Sequence, residues 1–262
     1  MKKLNLLLLI TLSLLFSCKD DDSTPDDASE KEAISAKWVV NDNDTYQSFE
    51  FNKSYTYIVV KVDQVNGAPI VLFGNYNIVD SKTVELEDFG TIEIDEIDDN
   101  SISFALQVDG EDKVNISAAK QAEMNNSTRT ELLCRTWQMV TVNGEEVTGT
   151  EFDLTVLFSQ AGTYFVELAN PDDENEGGLA SWKWYDDTET HFLYSWGDPA
   201  VWDEEDIVEV VELTDNSLKI LEIYSNGDEE LYEMAPANSK SSRIMSNASD
   251  NNIKLKRGFL KH

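Results

Sequence analysis

The sequence predicts an all-β protein in which two tandem small antiparallel β-barrels are joined by a short helical linker. Three observations carry this. Short runs rich in β-branched and aromatic residues are broken by turn chemistry every eight to twelve residues or so, the spacing of sandwiches and barrels. The second half of the chain repeats the first, segment by segment and in the same order. The one helix-friendly stretch, Ser117 to Leu133, falls between the two copies. About eight strands close into a barrel whose interior holds side chains or one small ligand.

The chain starts with an address. Lys2 and Lys3 precede the apolar run Leu4 to Phe16, and the small residue Ser17 follows. This is the layout of a secretory signal over residues 1–17. The run falls well short of the ~20 apolar residues that cross a bilayer. Leu15-Phe16-Ser17-Cys18 resembles the bacterial lipobox, which implies that Cys18 is acylated and becomes the new N-terminus. Lys19-Asp20-Asp21-Asp22 resembles the export signal of surface-exposed lipoproteins in Bacteroidetes-type bacteria. The resemblance implies an outer-membrane protein held by its lipid and exposed at the cell surface. Stable anchoring takes more than one acyl chain, and a bacterial lipoprotein cysteine carries several. Residues 18–32 are acidic, contain proline and lack apolar spacing, so they read as a flexible tether.

The first barrel is expected over 33–116. Tyr55-Tyr57-Val59 alternate against Thr56-Ile58-Val60, and both sides are apolar enough for a strand covered on both faces. Pro69–Phe73, Thr83–Leu86, Thr91–Ile97 and Ile102–Val108 follow as strands. Asp88-Phe89-Gly90, Asp98-Asp99-Asn100 and Asp109-Gly110-Glu111 punctuate them as turns. Residues 117–131 are expected to form the helical linker, 132–236 the second barrel, and 237–262 a basic mobile tail. Trp137 answers Trp38. Phe158–Tyr164 answers Phe51–Tyr57, Ser181–Trp184 answers Asn75–Ile78, and Asp215–Leu218 answers Asp99–Ile102. The offset grows because the second copy has longer loops, which absorb insertions cheaply.

A short helical lead-in, an early Trp, a Phe-x-x-x-Gly-Thr-Tyr hairpin, a Trp-bearing strand and an Asn-Ser-Leu turn together resemble the lipocalin-like domains of Bacteroidetes lipoproteins. The likeness covers Leu132 to Met234 well and Ala33 to Ile116 less well. Tyr55 stands where the family's hairpin glycine would be, and Ala36 and Arg135 stand in place of the glycine two residues before each Trp. The resemblance implies small up-and-down barrels.

Composition narrows the function. The net charge is −31, and loss of residues 1–17 removes two lysines and no acid, giving −33. Such an excess argues against nucleic-acid binding, which rests on lysine and arginine. The chain has two cysteines and two histidines, and no phosphate loop or zinc spacing, so no catalytic residue and no cofactor is nominated. Asp172–Gly177 begins like a calcium loop, but Lys183 stands where an EF-hand needs a bidentate glutamate. Trp182, Trp184, His191, Tyr194, Trp196 and Trp202 crowd one region of the second copy. They are the candidate ligand-binding residues, for a small apolar ligand or a glycan; packed core is the competing reading. The expected function is non-catalytic: a lipid-anchored binding protein or, alternatively, an adaptor with filled barrels that contacts an envelope protein partner. Replacing Cys18 by Ser is expected to abolish metabolic labelling with palmitate and to release the protein from the membrane fraction. Unchanged labelling would refute the anchor.

Overall fold

The computed structural model describes residues 31, 33–65, 67, 69–124, 126–150, 152–168, 177–196, 199–204, 207–237 and 243–244. The signal, Cys18, the acidic tether up to residue 30, most of the calcium-like run and most of the basic tail lie outside them. Two closed eight-stranded antiparallel barrels follow one another along the chain. In the first, the strands are β1 (Lys37–Val40), β2 (Tyr46–Phe51), β3 (Thr56–Val62), β4 (Pro69–Asp80), β5 (Thr83–Leu86), β6 (Gly90–Ile97), β7 (Ser101–Val108) and β8 (Val114–Lys120). Each pairs with its successor, and β8 returns to β1. The helix α1 (Thr128–Leu133) leads into the second barrel. Its strands are β9 (Thr136–Val142), β11 (Leu154–Phe158), β12 (Thr163–Leu168), β13 (Gly177–Trp184), β14 (His191–Ser195), β15 (Ile207–Leu213), β16 (Leu218–Ile223) and β17 (Glu229–Pro236), with β17 closing on β9. The two-residue β10 (Glu145–Glu146) folds back on β9.

The repeat is physical. Trp38 and Trp137 are both fully buried, and each indole N–H donates to the carbonyl four residues earlier, Ile34 at 3.0 Å and Leu133 at 2.9 Å. Each lead-in is therefore tied to the core of the barrel it precedes, through Ile34 and Leu133. The hairpins match as well. Tyr55 N donates to Asn52 O and Gly162 N to Ser159 O, and both turn residues have positive φ, 63° and 79°. Tyr55 adopts a conformation that costs a side-chain-bearing residue about 1–2 kcal/mol. Its ring recovers contact, lying 5.6 Å from Tyr76 with the Lys31 ammonium 3.7 Å above it.

Two expectations need correction. Ser117–Lys120 is strand, not helical linker. Its alanines lie in β8, where Ala118, Ala119 and Lys120 pair with Val40, Val39 and Trp38, and closure of the barrel overrides their helix propensity. Within the expected linker, helix is confined to the start of α1, which Ser127 caps by accepting the Thr130 N–H at 3.0 Å. The expected tail also contributes a strand, β18 (Arg243–Ile244), on the edge of β4 opposite Phe73 and Leu72.

The barrels are also not separate bodies. On β3 and β4, Tyr57, Val59 and Leu72 point into the first barrel, while Ile58, Val60, Val71 and Phe73 point out. The outward set is buried against Leu157 and Phe165, with Leu179 packed beside them, on the outer wall of β11–β13. Phe73 and Phe165 meet at 5.1 Å between ring centres. Beside this contact Thr163 Oγ1 donates to Glu50 Oε2 at 2.6 Å and accepts from Lys37 Nζ at 3.2 Å. Gln121 Nε2 reaches Ala161 O at 2.7 Å. Truncating Phe165 to Ala is expected to cost about 3 kcal/mol in urea unfolding of the full chain. On a freely exposed barrel wall the same change would stay within ~0.5 kcal/mol.

Candidate functional site

Five of the six candidate residues divide between the two faces of the barrel wall, and the sixth lies in a loop. Alternation along β13 and β14 puts Trp182, Trp184, Tyr194 and, just past β14, Trp196 on the inner side. His191 falls on the opposite face from Phe192. Trp202 lies in the loop before β15, 37% exposed, with Lys183 Nζ 4.6 Å from its ring. The structure thus brings four of the six together. Of the acidic run after Trp202, Asp203 and Glu204 are described; Glu205 and Asp206 lie outside the described residues.

The four inner aromatics are packed. Trp182 stands edge-on to Trp184 at 5.3 Å and to Phe158 at 5.5 Å, geometry that suits aromatic quadrupoles. Its indole N–H donates to Ser159 O at 2.9 Å. Trp184 donates to the hydroxyl of the fully buried Thr130 on α1 at 2.8 Å, so the lead-in helix fixes that ring. Trp196 meets Tyr164 edge-on at 5.5 Å. Its Nε1 is buried and has no acceptor.

Toward the end carrying the long loops, the interior becomes polar, which the sequence reading missed. Glu222 is only 3% exposed and lies on the inward row of β16 with Leu218 and Ile220. Tyr194 OH donates to its Oε1 at 3.0 Å, and Tyr224 OH approaches its Oε2 at 3.1 Å. Tyr224 also reaches Glu230 Oε2 at 2.7 Å, and Tyr232 donates to the same oxygen. Burial first, and Glu222 second, holds the Tyr164 phenol well above its ordinary value. Burial does the same for Tyr232, reinforced by its bond to Glu230. The signal was the period-two row Leu218-Ile220-Glu222, an acid at a core position.

Cys134 is half-buried against the second core. Its thiol is pushed up by burial and then by Glu50 and Glu123, which makes it a poor nucleophile. Among the described residues no group of three or more His, Cys, Asp or Glu could hold a metal ion. A groove of about 400 Å³ that includes His191 lies outside the barrel wall. No family model matches the chain, and no curated protein matches it.

Trp182→Ala is expected to cost ~3–5 kcal/mol and to lower the single unfolding midpoint of the full chain by at least ~6 °C. Trp202→Ala is expected to shift it by no more than ~4 °C. Equal small shifts in thermal denaturation would mean that the interior aromatics line open space.

Proposed function

We propose that the protein is a lipid-anchored lipoprotein of the outer membrane, exposed at the cell surface. In this reading its two filled barrels act as a structural or adaptor body in an envelope protein complex. One observation carries the adaptor reading. Trp182, Trp184 and Tyr194, the residues best suited to line a pocket, have their polar atoms committed to Ser159, Thr130 and Glu222, and their rings pack on one another or on the core. A barrel filled in this way has its outer walls and loops left for recognition. The contact between the barrels supports the same reading, because it turns two small domains into one broad acidic body. The anchor rests on the resemblance at Leu15–Cys18.

A second reading keeps the small apolar or sugar-like ligand in the second barrel. The buried Trp196 N–H without an acceptor, at the loop-bearing end, favours it. Native mass spectrometry of the intact mature protein separates the two. The adaptor reading expects the acylated polypeptide without a small molecule, and a defined higher-mass assembly with a second protein. A stoichiometric small molecule retained by the chain would contradict it. Proteinase K added to intact cells is expected to degrade the protein, and protection would contradict surface exposure.

A further inference from the structure

The groove on the outer wall of β14–β16 has a composition that selects its occupant. Its floor is apolar: Ile207 on β15 and Leu221 and Ile223 on β16, which alternate with the inward Val208, Ile220 and Glu222. Ile223 is half-exposed and continues this apolar floor toward solvent. His191, Glu204 and Glu209 join this floor, and Tyr224 and Ser225 complete the lining. The Tyr224 hydroxyl points at Glu222 and Glu230, so two more carboxylates lie behind its ring.

Among the described residues no lysine or arginine lines the groove to balance this charge, and His191 is its one basic side chain. Two nearby lysines are engaged elsewhere. Lys219 bonds Glu233 at 3.1 Å, and Lys183 lies over Trp202. Among the described residues the carboxylates are also not gathered as a metal site would need. An apolar strip edged by negative charge fits an occupant that is both apolar and cationic. The groove is only partly enclosed, which suits a chain lying across the surface better than a fully enclosed small molecule. Its position keeps it accessible. Around the closed ring of strands, β14–β16 follow β11–β13, which face the first barrel, so the groove points away from the inter-barrel contact.

We propose that this groove docks an extended segment of a partner protein that alternates lysine or arginine with aliphatic residues. The aliphatic side chains lie on Ile207, Leu221 and Ile223, and the cations meet Glu204 and Glu209. The proposal rests on the adaptor reading and supplies the chemistry of the partner. Charge complementarity of this kind sets specificity and encounter rate, and it weakens with salt.

The test uses the full mature chain and a fluorescein-labelled octapeptide alternating lysine with isoleucine or leucine, followed by fluorescence anisotropy. The expected result is binding that weakens at least tenfold in Glu204→Lys/Glu209→Lys and in Ile223→Asp, with the thermal midpoint of each variant kept. A peptide with serine in place of the aliphatic residues is expected to bind at least tenfold more weakly. Equal weakening by Asp95→Lys/Glu96→Lys, on the first barrel, would mean diffuse attraction to an acidic protein and would overturn the site. Tenfold tighter binding to a chain ending before Ile253 would also overturn it, by making the chain's own Ile253–Lys261 segment the occupant. Failure of the adaptor reading looks different: a small molecule retained in native mass spectrometry, whatever the peptide does.

Discussion

The contact between the two barrels constrains everything else in this chain. It has an apolar part, Ile58, Val60, Val71 and Phe73 against Leu157 and Phe165, and a polar part at its edge. The polar part is a buried carboxylate. Glu50 is 3% exposed; one oxygen is held by Thr163 at 2.6 Å and the other has no partner. No lysine or arginine comes within ion-pair reach of it among the described residues; Lys37 touches it only through the Thr163 hydroxyl. Burying a carboxylate so sparsely bonded is unfavourable by itself. It is tolerated because the apolar facet beside it holds the barrels together, and Glu50 in turn ties the register of β2 to that of β12.

Much of this was legible in the sequence, and the limits are instructive. Trp38 and Trp137 announced the repeat, and each makes the same hydrogen bond to its lead-in. The alternation in Ile102–Val108 placed β7 correctly to within a residue. β3 showed apolar residues on both faces, so that strand was expected to be covered twice. What the alternation could not say was by what, since a second barrel and a helix bury Ile58 and Val60 equally well. Ala118 and Ala119 misled because alanine favours helix locally, while the β1 edge that they complete lies some 80 residues away in sequence.

The candidate site divided along the same line. Period-two spacing put Trp182 with Trp184, and Phe192 with Tyr194 and Trp196, on the faces where the structure has them. His191 and Trp202 joined the cluster only through nearness in sequence, and strand alternation and loop geometry put them elsewhere. Glu222 went unnoticed because acids are so abundant in this chain that its place in the row Leu218-Ile220-Glu222 did not stand out. Its environment, three tyrosine hydroxyls and a second carboxylate, exists only once β14, β16 and β17 are side by side. With the interiors taken up by their own side chains and one wall of each barrel spent on the other, the remaining outer surface is what the molecule offers to its surroundings.

The central claim, that the two barrels form one cooperative body, is most directly tested by differential scanning calorimetry of the intact mature chain. The account predicts a single transition whose calorimetric enthalpy equals its van't Hoff enthalpy, because neither barrel can unfold without exposing the facet of the other. Two resolved transitions, or a calorimetric enthalpy near twice the van't Hoff value, would contradict it.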